Sequence, residues 1–303
     1  MAYNISALPT YVEEKMDALI KGFVLDGETV KRIQWMTDVK TSANLNIIDT
    51  DPVLQEYACG FNPQGDAVFT NRVLETAHLK VDKEFCKADL LRAWTQAEVR
   101  IAADDEGMPF IEQLLEDVRR KLVLKRELMI WQGNKASGSG DLKLINGFLQ
   151  ILDADVSTVK VSIDSGASAY DAIQQVYLAL PAAIRRRDVK INVSPELYAK
   201  FTQELVAKNL FHYAGPQDEA PMEIVFPGTR VRVVDTEGLT GTNKIVATMD
   251  ENLFYGTDLM SDNLEIIETG VDKKAGTWWL KVDTNFGVQV AFPEFAVVGT
   301  IAA

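Results

Sequence analysis

Residues 108–140, MPFIEQLLEDVRRKLVLKRELMIWQGNKASGSG, constrain the fold of this chain more than any other stretch. They read as one long helix ending in a glycine-serine turn. Pro109 suits the first helical turn, where its missing N–H costs nothing. Ile111, Leu114, Leu115, Val118, Leu122 and Met129 recur at helical spacing and define one apolar face. Glu116 with Arg120 and Asp117 with Lys121 are predicted i,i+4 pairs with the acid first, the favourable order. Gly133 is the predicted stop. From Pro109 to Trp131 such a helix spans roughly 35 Å, at about 1.5 Å per residue. That is the width of a small domain, so other layers are expected to lie against it.

The remaining chain must supply those layers. It has 303 residues, 47% of them hydrophobic, enough for a sizeable core and, by length, about two domains. The formal net charge of -13 argues against a DNA-binding module, which needs a basic face. Arg185-Arg186-Arg187 is a compact basic run and reads as a helix end, where cations complement the dipole. The opening residues lack the apolar core of a secretion signal, and no run reaches membrane-spanning length. A cytoplasmic protein without membrane contact is the expectation.

Residues 1–40 read as an arm with amphipathic pieces at Tyr11–Gly22 and, more weakly, Thr29–Val39. Periodicity then changes. Turn residues gather at Asp49–Pro52 and again at Gly60–Asp66. The second cluster lies between Leu54–Cys59 and Ala67–Leu74, which predicts an extended hairpin with its tip near Pro63. A long polar hairpin has little core of its own and needs a surface to lean on. Leu79–Asp104 is mixed, with a helix predicted at Ala88–Val99.

After Gly140 an apolar stretch, Leu142–Leu152, carries an Asn146-Gly147 turn. A helix is predicted over Ser168–Ile184, bent or interrupted at Pro181. A strand follows at Val189–Val193, and Ser194-Pro195-Glu196 caps a helix running to about Ala207. From Glu223 the chain is strand-rich, with strands predicted at Arg230–Asp235, Lys244–Thr248, Leu264–Glu268, Thr277–Asp283, Val288–Phe292 and Ala296–Ile301. The fold class is α+β, helices and strands in separate blocks without βαβ alternation.

Chemistry is sparse. His78 and His212 lack metal-ligand spacing and read as structural. Cys59 and Cys86 make no disulfide framework; buried thiols are expected, with a meeting across a hairpin as the alternative. Gly133–Gly138 has the glycine spacing of a phosphate-binding loop, but Ser139-Gly140 stands where Lys-Ser/Thr belongs, and the loop follows a helix instead of opening one. Asp104-Asp105-Glu106 reads as a solvated cluster ahead of a helix. No nucleophile elbow or zinc-protease motif is present. No catalytic, metal or cofactor residues are assigned, and the expectation is a protein that is not an enzyme.

One resemblance organises these pieces. Glu127–Gly133, the Gly-Ser turn and Ile145-Asn146-Gly147-Phe148-Leu149 resemble the end of the spine helix in tailed-phage major capsid proteins. Asp262–Ile266, Trp278–Asp283, Gly287–Ala291 and Pro293-Glu294-Phe295 resemble that family's closing strands and ending, with the family's alanine displaced to Ala296. The resemblance, to the Hong Kong 97-like capsid fold, covers most of residues 41–303, and its specificity lies in the order of the motifs.

It implies an N-arm at 1–40, an extended E-loop at 41–80, a P-domain at 81–140 including the spine helix, an A-domain at 141–260, and closing strands at 261–303 that complete the P-domain and return to the A-domain. Phe61, Pro63, Gln64 and Asp66 become candidate subunit-interface residues at the hairpin tip. The implied protein is a shell subunit assembling with itself into pentamers and hexamers. The icosahedral head would enclose double-stranded DNA without sequence-specific binding and meet a portal. The implied location is the virion capsid, assembled in the bacterial host cytoplasm.

The implied arm is too short for the cleaved scaffolding segment of some members, so a separate scaffolding protein, or none, is expected. No residues match the Lys–Asn cross-link of other members. Two alternatives stay open: an encapsulin-type cargo shell of the same fold, for which Tyr11–Gly22 would be the internal helix, and a soluble α+β enzyme of another class.

Overall fold

A computed structural model describes residues 27–50, 53–56, 60, 64–86, 109–210, 223–258, 267–272, 274–275 and 277–302. The predicted elements at Tyr11–Gly22 and Ala88–Val99, together with Cys59 and His212, lie outside these residues. The long helix, α2, runs Pro109–Gln132 as its spacing requires. Asp117 pairs with Lys121 at 2.7 Å, but Glu116 reaches Arg119 at 3.0 Å, one residue short of the predicted Arg120. Both separations lie on one helical face, so either partner satisfies the same geometry. Among the described side chains of α2, burial deepens toward its C-terminal end. Val118 and Leu122 are half-buried, whereas Met129, Ile130 and Trp131 are enclosed on all sides. The C-terminal end of α2 enters the core and the middle runs along its surface.

Gly133 follows the last residue of α2, and the packing there has no room for a side chain: a Cβ would lie 2.5 Å from the Met129 carbonyl and 2.7 Å from that of Ile145. The chain turns through Gly140–Lys143 and enters α3, Phe148–Ala154. Phe148 packs edge-on against Trp131, with ring centroids 5.3 Å apart.

A six-stranded sheet lies beside this helix pair. Its strands are β5 (Val159–Ile163), β6 (Val189–Val193), β7 (Glu223–Val225), β8 (Arg232–Asp235), β9 (Lys244–Met249) and β13 (Val297–Ile301), in the order β5-β13-β9-β6-β8-β7. Two helices cover one face: α4 (Ala169–Ala179), capped by Ser168, and α5 (Pro195–Ala207), capped by Ser194. Ile245, Ala247 and Val297 join the core beneath them, while Val246 and Val298 join the core shared with α2 and α3. That is why these strands read as nearly continuous apolar runs: both faces are buried.

One expectation about this region is corrected. β6 and β8 are parallel neighbours with α5 between them, so the chain does contain a βαβ unit within an otherwise α+β arrangement. α4 is interrupted where expected: it ends at Ala179, because Pro181 cannot continue the hydrogen-bond ladder. The basic run then acts as a helix end does. Arg185 donates from Nε to the Leu180 carbonyl at 2.8 Å and from its second guanidinium nitrogen to Leu178 at 2.5 Å.

The second sheet is built on β12, Thr277–Val290, which merges the two strands predicted at Thr277–Asp283 and Val288–Phe292. β4 (Ala77–Cys86) pairs with its first ten positions, β11 (Ile267–Asp272) lies on its other side, and β10 (Leu253–Thr257) pairs with its last five. β1 (Gln34–Met36) adds parallel to β10. The helix predicted over Thr29–Val39 is therefore one short turn, α1 (Glu28–Arg32), before the chain extends to pair with Phe254–Gly256. Sheet pairing overrides weak local propensity here. Cys86 ends β4 exposed, not buried as expected, because the strand runs to the sheet rim.

Candidate subunit interface

The predicted hairpin exists, in a different register. β2 (Ser42–Thr50) pairs antiparallel with β3 (Ala67–Glu75), from Ser42 opposite Glu75 to Thr50 opposite Ala67. Residues 53–56 are not strand, and 57–59 lie outside the described residues, so the predicted strand Leu54–Cys59 is replaced by β2. The connection of 51–66 is asymmetric about the Gly60–Asp66 turn cluster, and centring the hairpin on that cluster misplaces its first strand. The alternation in SANLNIIDT, with Ala43, Leu45 and Ile47 against Asn44 and Asn46, was the available signal.

The hairpin root is locked to the body. Leu74 is 0% exposed and packs with Leu45, Val39, Met36, Ala43 and Phe254. Gly256 and Gly287 allow this approach, since a Cβ on the first would collide with the Leu74 side chain and on the second with the Glu75 carbonyl. The Asn285 amide donates to the carbonyls of Val39 at 3.2 Å and Lys40 at 2.9 Å. Gln289 donates to the Val73 carbonyl at 2.6 Å. Arg72 reaches Asp155, just past the end of α3, at 2.9 Å. Burial works against the Asp155 carboxylate, yet the Ser157 N–H and the Arg72 guanidinium outweigh it and hold its pKa below the usual range.

Towards its tip the ribbon is bare. Ile48 and Phe69 face each other across the strands and are 60% and 74% exposed, and Leu54 in the connection is 99% exposed. Val68 is exposed as well. Of the four sequence candidates, Gln64 and Asp66 are exposed, while Phe61 and Pro63 lie outside the described residues. Sequence reasoning placed the candidate surface only at the turn and missed Ile48 and Phe69, which extend it along the ribbon.

A second junction fastens the start of the described chain to the end of α2. The Trp131 indole N–H donates to the Thr29 hydroxyl at 2.9 Å, and the Thr29 N–H donates to Glu127 at 3.2 Å. A Cβ on Gly27 would sit 2.5 Å from the same carboxylate, so a side chain there would push Glu127 out of this position. Burial raises the Glu127 pKa, and the Thr29 hydrogen bonds and the Arg126 and Arg32 charges offset this only in part. Arg32 continues the junction to Asn192 at 3.2 Å, and Asn192 accepts the Thr236 hydroxyl at 3.1 Å. The exposed His78 takes no part in either junction.

No family model matches the chain, and no curated protein matches it in sequence. Solved structures do match in fold. A chain of the satellite phage P4 procapsid that includes the size determination protein is 12% identical, with a TM-score of 0.63, covering 96% of this chain and 100% of that one. The virus-like particle from Pyrococcus furiosus is 14% identical, with a TM-score of 0.54, covering 95% and 98%. The capsid of Myoviridae phage XM1 is 13% identical, with a TM-score of 0.52, covering 91% and 92%. The chain has the Hong Kong 97-like capsid fold.

Proposed function

We propose that this protein is the major capsid subunit of a tailed-phage head, assembling with itself into pentamers and hexamers that close an icosahedral shell. The single observation that carries the reading is the exposed apolar stretch of the β2–β3 ribbon around Ile48 and Phe69. A two-stranded ribbon has almost no core of its own, and contiguous exposed apolar surface marks a place where a partner packs. The fold supports the reading, because the similar chains of phage P4 and phage XM1 come from a procapsid and a capsid.

On this proposal residues 1–40 are the arm, 41–80 the extended loop, 81–140 the P-domain with α2, 141–260 the A-domain, and 261–303 the closing strands. Phe61, Pro63, Gln64 and Asp66 extend the ribbon's contact surface onto the neighbouring subunit. The acidic chain encloses double-stranded DNA without gripping it, since a strongly basic wall would bind by counterion release. A portal completes the head, which is built in the bacterial cytoplasm with a separate scaffolding protein or with none.

The test separates folding from assembly. Replacing Ile48 and Phe69 together by serine is expected to change subunit stability by less than about 1 kcal/mol, as for exposed sites, and to abolish particles. A large drop in the melting temperature of the unassembled subunit would instead assign the pair to its own core. Normal particle yield would remove the ribbon from the interface. Nuclease-protected DNA in particles from infected cells would favour a phage head over a cargo shell.

A further inference from the structure

Arg72 ties the ribbon to the body of the subunit through a side-chain hydrogen bond to Asp155. It lies on β3 opposite Leu45, and from that pair the ribbon runs on to Thr50 opposite Ala67. Five residues at about 3.3 Å each make roughly 17 Å of paired strand beyond this tether. Small rotations at the root are therefore amplified at Ile48, Phe69 and the tip. The partner, Asp155, is the C-cap residue of α3, which packs directly on α2, so the tether ends on the rigid core. Both side chains are largely shielded, at 26% and 18% exposure, where a charge-assisted hydrogen bond is directional and little screened. Asp155 is itself held by the Ser157 N–H at 2.9 Å, which orients its second oxygen towards Arg72.

We infer that the Arg72–Asp155 pair is a clasp that fixes the direction in which the ribbon leaves the subunit, and thereby the curvature and size uniformity of the assembled shell. Leu74, Gly287 and Asn285 hold the root whether or not the clasp is closed, so both residues are positioning residues and not part of the folding core. The inference rests on the shell reading, and its two halves are measured separately.

The first measurement is hydrogen exchange on the full chain before assembly, for Arg72→Ala, Asp155→Asn and the double variant. Asparagine keeps the acceptor for Ser157 while weakening the hold on Arg72. Exchange over 43–50 and 67–73 is expected to rise roughly three- to tenfold, the effect of losing one partly buried charge-assisted hydrogen bond, with the six-stranded sheet unchanged. The double variant is expected to match either single variant, because both break one contact; two unrelated structural roles would add. Arg72→Lys is expected to restore part of the protection.

The second measurement is particle diameter by electron microscopy. The variants are expected to assemble, with a broadened or shifted diameter distribution. Unchanged exchange would overturn the clasp. Raised exchange with wild-type diameters would overturn its role in curvature. Raised exchange in the variants together with no particles from the wild-type chain would count against the shell reading and leave the clasp standing.

Discussion

Trp131 near the end of α2 donates its indole N–H to the hydroxyl of Thr29, 102 residues away in sequence, and both side chains are fully enclosed. This bond joins the N-terminal segment to the long helix on which the rest of the subunit is laid. Thr29→Val keeps the shape and removes the acceptor. The buried indole N–H is then unpaired, which costs about 1–3 kcal/mol. Chemical denaturation of the subunit measures it, and a change near zero would mean that water replaces the hydroxyl.

The neighbouring Glu127 gives a pH dependence. Its carboxyl titrates above 4.5 in the folded chain because it is buried, and near 4.5 once unfolded. Unfolding between those values releases a proton, so this group's contribution to stability falls as pH rises from the ordinary glutamate range through its folded pKa. Glu127→Gln retains an acceptor for the Thr29 N–H without the charge. Its melting temperature relative to wild type is expected to climb over that window and level off above it. A difference independent of pH would show that the charge is fully compensated in place.

Gly287 tests the hairpin root. Any side chain there meets the Glu75 backbone, which cannot rotate away as a flexible side chain can. Gly287→Ala is expected to cost about 1–3 kcal/mol or more, the range of overpacking, because strand must move. Calorimetry measures it. Wild-type stability would mean that the ribbon root yields easily, in conflict with the hydrogen bonds from Asn285 and Gln289.

The turn at the ribbon tip is the complementary case. Replacing Phe61–Gln64 by a short Gly-Ser linker is expected to leave subunit stability within about 1 kcal/mol of wild type and to lower particle yield sharply, since each contact repeats around the shell. Melting and yield measured side by side decide it. A large loss of melting temperature would assign the tip to the subunit's own fold.

The sequence was most legible where local and tertiary preferences agree. α2, β6 and the Ser194-capped α5 lie where periodicity and capping residues put them, because their local signals agree with the packing around them. It was least legible where pairing partners are distant. β10 and β1 have no strong local signal and are strands because Phe254–Gly256 and Gln34–Met36 complete one sheet edge. The ribbon was visible, but the turn cluster drew its first strand to the wrong side of Asp49–Pro52. Ile48 and Phe69 were passed over because an exposed apolar pair reads in sequence like a buried one. Arg72 and Asp155 carry no motif, and only the fold brings β3 to the end of α3.

The most direct test of the central claim is electron microscopy of the wild-type chain, expressed alone and with the structural genes that accompany it. The expected result is closed shells of uniform diameter with capsomers at five-fold and six-fold positions, and ribbons lying across neighbouring subunits. A monodisperse monomer under every such condition would contradict it.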